Sequence, residues 1–329
     1  MRALVIGGNG FIGTHLVSRL LKEGIEVRVF DRYPSKFATP HPHVEYVTGD
    51  LGNHGVLNEI VLGVDWVFHL AYTTLPKTSN DDPIYDVRSN VIDTLQLLQE
   101  SCQAQVKKIV FVSSGGTVYG VPQTVPIKES HPTDPLCSYG ITKLAIEKYL
   151  HLFYHLNHLD YAALRVSNPY GEGQNPNAKQ GAIGVFLGRV VRGETISVWG
   201  DGEVIRDYIY IDDAVSALIM AARHKREDDE PHVFNIGSGK GLSLNTLIKE
   251  IRSIVDMEVK VEYLPARALD VPANVLDISL AKERLLWQPT VDLKSGLLRT
   301  WQWIKSLDPS EEMVFTPALA ISPTVSSNV

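Results

Sequence analysis

Tyr139 and Lys143 stand four residues apart in SYGITKLAIEK, a spacing that sets a phenol and an ammonium on one face of a helix, with Ile146 and Leu150 behind them. A phenol titrates near 10 in water and is a poor base at neutral pH, but an adjacent positive charge favours its phenolate. Lowering it by about three units takes roughly 4 kcal/mol. Alone, the pair is equally compatible with a chance pairing on a surface helix. A second group could hold a phosphate. Gly7, Gly10 and Gly13 follow the apolar run Ala3, Leu4, Val5 and Ile6, and Phe11, Ile12, Leu16, Val17, Leu20 and Leu21 then recur at helical spacing. That is a strand, a tight turn and a helix whose exposed amides and positive dipole end face the glycines. A glycine triplet by itself fits any strand-to-helix turn. Here residues 25–30 form a second strand ending in Asp31, close to the ~20-residue offset at which a carboxylate meets the ribose hydroxyls of a dinucleotide.

These residues need a scaffold, and the chain supplies alternation. Strands are expected over 44–47, 64–70, 109–112 and 161–166, and helices over 84–102 and 139–157. The first of these helices carries Val87, Val91, Leu95, Leu98 and Cys102 along one stripe. The short run 109–112 is continuously apolar, as in a strand buried on both faces, and it ends in Ser113 and Ser114. The pattern predicts an α/β fold: a Rossmann-type doubly wound parallel sheet with ligands at the carboxyl ends of its strands. Residues 1–167 read as this dinucleotide domain, with about 205–238 returning to it, and 168–305 as a smaller α/β substrate-binding domain. The tail 306–329 has no periodicity and is expected to be disordered.

Taken in order, GGNGFIG at 7–13, Asp31, GDL at 49–51, HLA at 69–71, SSGGTVYG at 113–120, SYGITK at 138–143 and RVSNPYG at 165–171 resemble the extended short-chain dehydrogenase/reductases. The branch they resemble is the NAD-dependent sugar-nucleotide epimerases and dehydratases, typified by UDP-glucose 4-epimerase, and the likeness spans about residues 1–305. It implies that Ser114, Tyr139 and Lys143 act together. Ser114 precedes Tyr139 by 25 residues, as in the epimerases, although Gly115 and Gly116 are more than many relatives carry before VYG, which makes Thr117 a fallback hydroxyl. The dehydratases carry an Asp-Glu pair before VYG, and Gly115, Gly116 and Thr117 supply neither carboxylate.

On the cofactor side the resemblance implies contacts from Gly7, Gly10, Phe11, Ile12, Gly13, Asp31 and Arg32. Asp50 and Leu51 belong at the adenine, Leu70, Ala71, Tyr72 and Thr74 at the nicotinamide ribose, and Ser89 at the pyrophosphate edge. Ser167 stands where relatives have an aromatic beside the nicotinamide. Asp31 favours NAD over NADP, a preference that Arg32 could soften. On the substrate side Asn168 matches the asparagine that contacts the nucleotide sugar, and Arg206 and Arg267 match arginines that hold the diphosphate. Asn274 occupies the position where a large tyrosine restricts the sugar pocket in some epimerases and smaller residues accompany N-acetylated sugars. For each arginine a surface ion pair is the competing reading, Arg206 with Asp207 or Asp213. Asp212 and Asp213 read as a helix N-cap and first-turn acid.

Composition bounds the rest. The 329 residues carry 31 Lys and Arg against 38 Asp and Glu, a formal charge of −7, so no nucleic acid or anionic membrane partner is expected. Cys102 and Cys137 form no disulfide framework, no apolar run approaches the ~20 residues of a membrane span, and a cytoplasmic location follows. His151, His155 and His158 share a helix end without a partner acid or cysteine at ligand spacing, so no metal is expected. The reading is C4 epimerisation of a UDP-sugar, either UDP-glucose and UDP-galactose or their N-acetylated counterparts, by a homodimer. A nucleotide-sugar 4-ketoreductase or UDP-glucuronate decarboxylase is the alternative on the same scaffold. A non-catalytic dinucleotide sensor is the alternative of another class.

Overall fold

The computed structural model describes residues 1–36, 38–178, 180–225, 232–266 and 271–307. The first half runs β1 (Arg2–Ile6), α1 (Phe11–Lys22), β2 (Glu26–Asp31), β3 (Val44–Thr48), α2 (Leu57–Val61), β4 (Trp66–His69), α3 (Pro83–Asp86), a π-helical turn (Val87–Ile92), α4 (Asp93–Gln103), β5 (Lys108–Ser114), α5 (Ser138–Asn157) and β6 (Asp160–Val166). The second half adds β7 (Asn168–Tyr170), α6 (Ala182–Val191), β8 (Ile196–Trp199), β9 (Ile205–Tyr210), α7 (Ile211–Arg223), β10 (Val233–Ile236), β11 (Gly241–Ser243), α8 (Leu244–Ile254), β12 (Val261–Leu264), β13 (Ala273–Asn274), α9 (Ser279–Arg284) and α10 (Leu293–Ser306).

The main sheet has the order β3-β2-β1-β4-β5-β6-β10, all parallel. Its order reverses between β1 and β4, the position at which doubly wound sheets bind dinucleotides. β1 is apolar throughout because both its faces are covered: Ala3 and Val5 join one core, Leu4 and Ile6 the other. The first core contains Leu16 and Leu20 of α1 and Ala217 and Leu218 of α7, and the second contains Leu97 of α4 and Ile146 and Leu150 of α5.

The returning segment divides in two. β10 pairs with β6 in the main sheet, whereas β9 lies in a small sheet, flanked by β11 and β13 and paired with β7. β8 and β12 form a separate parallel pair. The expected stripe on 84–102 also breaks. The π turn inserts extra residues per turn and rotates what precedes it, so Val87 is exposed while Val91 and Leu98 are buried. At α7 the N-cap is Tyr210, and both Asp212 and Asp213 lie in the first turn. Asp213 is no surface acid. It is buried and accepts hydrogen bonds from the Thr290 and Val291 amides (2.9 and 3.0 Å), which ties α7 to the segment before α10.

Candidate active site

The glycine turn is forced by close approach. Gly7 has φ +81°, and a Cβ there would lie 2.8 Å from the Ala71 amide nitrogen. Gly13 faces the turn so closely that a Cβ would come 2.3 Å from the Gly7 carbonyl oxygen. Gly10 caps α1 with no side-chain bond, and the first turn, beginning Phe11-Ile12, holds no acid. Its amides are therefore bare and positive, the donor set that a pyrophosphate requires. Asp31 ends β2 beside them and accepts from the Asn9 amide (3.0 Å).

Around this turn lies a cleft of about 380 Å³ lined by Gly7, Gly10, Asp31, Arg32, Leu51, Leu70, Ala71, Tyr72 and Ser89, nine of the residues expected on the cofactor side. Bare amides, an acid at the strand end and a groove between them fit NAD. Other expected residues are placed differently. The Asp50 carboxylate is held by Arg32 (Nε 2.8 Å, Nη2 2.9 Å) and the Gly52 amide, so the cation that could have received a 2′-phosphate is engaged by its neighbour. The Thr74 hydroxyl turns away to Asp86, and the Ser167 hydroxyl donates to Asp207 (3.4 Å). Thr73, within the stretch 70–74 expected at the ribose, also lines the cleft, and sequence reasoning missed Asn90, whose side chain accepts from the Thr73 amide (3.0 Å). Ser89 and Asn90 are both buried within the π turn.

Tyr139 and Lys143 lie in the first turns of α5, and Lys143 reaches the end of β5. Lys143 is buried, its Nζ donating to the Val112 carbonyl (2.7 Å) and lying 3.8 Å above the Tyr72 ring and 5.6 Å from the Tyr139 ring. The Tyr72 ring meets the Tyr139 ring edge-on at 4.7 Å, which places Tyr139 against the cofactor cleft. Burial pushes Lys143 down to about 7, opposed by the charges of Glu147 and Asp86. Tyr139 goes the other way from expectation. Burial raises it, helped by Cys137 and Asp86, because the Lys143 ammonium sits over Tyr72 rather than against the phenol. Asp86 is fully buried and joins three elements, accepting from Ser138 (2.6 Å) and Thr142 (3.1 Å) of α5 and Asn90 (2.9 Å) of the π turn.

Ser114 ends β5, followed by Gly115, where a Cβ would lie 2.5 Å from the Leu276 side chain; this packing accounts for the extra glycine. The Thr117 hydroxyl is buried and has no partner. Asn274 is buried too. Its Nδ2 donates to the Gly115 carbonyl (3.0 Å), while its Oδ1 has no partner. Asn168 donates to the Asp207 carbonyl (2.8 Å), and Arg206 donates to the carbonyls of Ile205 and Val271 (2.8 and 2.7 Å). Asp207 itself is buried and accepts from the Ser238 amide (2.7 Å) and the Gly239 amide (3.2 Å), fixing the loop after β10. Arg267 lies outside the described residues, as does the tail from 308. His151, His155 and His158 are exposed at the end of α5, and among the described residues no three candidate ligands cluster.

Residues 3–237 match the NAD dependent epimerase/dehydratase family. A putative UDP-glucose 4-epimerase of Methanocaldococcus jannaschii is 35% identical over 305 residues, 92% of this chain and 98% of that one. The structure of Thermotoga maritima UDP-glucose 4-epimerase with UDP-glucose superposes with a TM-score of 0.87 at 36% identity, covering 93% of this chain and 99% of the other. A UDP-N-acetylglucosamine 4-epimerase from Methanobrevibacter ruminantium, solved with UDP-N-acetylmuramic acid, gives 0.85 at 31% identity, covering 92% and 97%. The matched span runs through the glycine turn, the Ser114 strand and the Tyr139 helix, and the chain belongs to the NAD dependent epimerase/dehydratase family.

Proposed function

We propose that the protein epimerises a UDP-sugar at C4 by transient oxidation to a 4-keto sugar, with NAD as resident cofactor. The observation that carries this is the junction of β5 and α5, where Tyr139 and Lys143 are packed against a cleft built for a dinucleotide. When bound, NAD supplies the hydride acceptor and donor at the sugar carbon and a cationic ring near Tyr139. Tyr139 takes the proton of the sugar 4-hydroxyl and returns it, Ser114 shares that hydrogen bond, and Lys143 supplies the nearby positive charge. Gly115, Gly116 and Thr117 offer no acid pair for dehydration. Asn168 and Arg206, with Arg267, are the side chains proposed for the nucleotide and diphosphate, since a guanidinium matches phosphate oxygens.

The sugar site is proposed to take N-acetylated substrates at least as well as the plain sugars. The buried Asn274 Oδ1 is an unspent acceptor beside the end of the catalytic strand, suited to the N–H of an acetamido group. The similar protein from Methanobrevibacter is named for such a sugar. We further propose a homodimer: Ile84, Ile92, Ile141, Leu152 and Leu156 are exposed apolar residues on the two helical segments 83–103 and 138–157. Light scattering at micromolar concentration giving the monomer mass of 36.5 kDa would reject it. A cytoplasmic location is proposed on the absence of a disulfide framework, and no described helix is long and apolar enough to cross a membrane.

The decisive test incubates the purified protein with UDP-glucose, UDP-galactose and their N-acetylated counterparts, with no cofactor added. C4 epimers are expected from at least one pair. Absence of any epimer, or product only when a reduced dinucleotide or UDP-glucuronate is supplied, overturns the proposal.

A further inference from the structure

We propose that Glu147 is a positioning residue for this site. Its buried carboxylate ties the strand that carries Ser114 to the helix that carries Tyr139 and Lys143. The role given to Lys143 rests on the epimerase reading.

Glu147 lies one turn beyond Lys143 on α5 and is 3% exposed. Its Oε2 accepts from Arg165 Nη2 (2.7 Å) and its Oε1 from Arg165 Nε (3.1 Å) and from the Ser113 hydroxyl. Ser113 and Arg165 are partners across the β5–β6 ladder, so one carboxylate clamps two strands and a helix immediately before Ser114. Arg165 passes the chain on to the Tyr119 hydroxyl (2.9 Å), which donates to Asn235 (2.6 Å). Both charges are thus hydrogen-bonded, as buried charges must be.

The surroundings of Lys143 show why the charge matters. From α5 it is faced by Tyr139 and Glu147, from α3 by Asp86, from β4 by His69, and from the following loop by the Tyr72 ring. β5 offers the Val112 carbonyl and the Phe111 ring. Burial holds His69 down to about 3, hence neutral, so Glu147 and Asp86 are the anions of the set. Asp86 is shared among Thr74, Asn90, Ser138 and Thr142, and Glu147, paired with Arg165, lies one turn from Lys143 on the same helix.

The test reads Lys143 directly. Holoenzyme carrying 13Cε-labelled lysine is titrated by NMR, the Lys143 signal being identified by its loss in Lys143→Met, and kcat is followed over the same pH range. Glu147→Gln leaves Arg165 buried without its partner and so endangers folding. The double variant Glu147→Gln/Arg165→Met removes the anion together with its cation and so isolates the loss of the strand tie, while Glu147→Gln reads the charge. In Glu147→Gln the Lys143 midpoint is expected to fall, and the alkaline limb of kcat with it, while in the double variant kcat falls with the midpoint closer to wild type. Ser113→Ala, which loses the strand tie but keeps the charge, should lower kcat and leave the midpoint in place. A folded Glu147→Gln with an unchanged midpoint, or a folded double variant with wild-type kcat, overturns the proposal, as does failure of both Glu147 variants to fold, which would make the pair purely structural. A shifted midpoint in a protein whose wild type epimerises nothing would sink the epimerase reading and leave the charge coupling standing.

Discussion

Gly13→Ala separates packing from helix propensity. In an exposed helix interior the exchange stabilises by about 1 kcal/mol. At Gly13 the new methyl would lie 2.3 Å from the Gly7 carbonyl oxygen and 2.6 Å from Gly8 Cα, all backbone that cannot swing aside. Restoring an ordinary contact lifts the start of α1 by about 1 Å, and overpacking of that size costs about 1–3 kcal/mol. Leu16, Val17 and Leu20, all buried under the same helix, move with it. The balance is a loss of up to about 2 kcal/mol, opposite in sign to the propensity effect. The α1 amides also leave their line to the pyrophosphate. A loss of ~1.4 kcal/mol there is a tenfold fall in NAD affinity. Thermal unfolding and dinucleotide content per chain after gel filtration measure both. Gly24→Ala is the control: its φ of +74° carries strain but its Cβ meets nothing within 4 Å, so it should lose stability and keep its NAD. A Gly13→Ala protein that melts no lower than wild type and retains its dinucleotide would refute the reasoning.

Tyr139→Phe keeps the ring packed on Tyr72 and deletes the proton acceptor, so turnover should fall roughly 10²- to 10⁴-fold with NAD content unchanged; near wild-type turnover would remove Tyr139 from the mechanism. Asn274→Tyr places a large ring where a buried amide meets the Gly115 carbonyl, and should reduce kcat/KM for the N-acetylated sugar more than for the plain one. An unchanged ratio would take Asn274 out of substrate selection. Lys143 titrates near 7 in the folded chain and at 10.5 unfolded, so between those values the unfolded chain binds the extra proton. Its burial therefore costs stability fully below pH 7 and progressively less as pH rises toward 10.5. Lys143→Met should accordingly raise Tm more at pH 6 than at pH 10, and equal shifts at both would contradict the burial account.

Long periodic elements were legible because one pattern fixed each of them. The run Ala3 to Ile6 can only be a strand covered on both sides, and the Tyr139–Lys143 spacing works only on a helix. The small sheet was not legible. β7 is three residues with Pro169 at its centre and β13 is two residues, too short for any period, and both exist because β9 supplies their partner. The π turn leaves no local signature either; it shows as a stripe that fails at Val87. At the site, single residues with family motifs were found, while Asp86, Glu147 and Asp207 were not. Each is a carboxylate whose partners lie on other elements, 52 positions away for Asp86 and Ser138, so only the folded chain brings them together.

The late arrival of β10 has a consequence during synthesis. Val233 follows Val166 by 67 positions, and until it emerges β6 is the free edge of a sheet that is otherwise complete. At 5–20 residues per second that edge, with Tyr161, Ala162, Ala163 and Leu164 in it, stays open for roughly 3–13 s on each nascent chain. The cofactor cleft is lined entirely by residues 6–94, already made by then. A dinucleotide bound early would steady the half-built sheet from its centre outward while its last strand is still being translated.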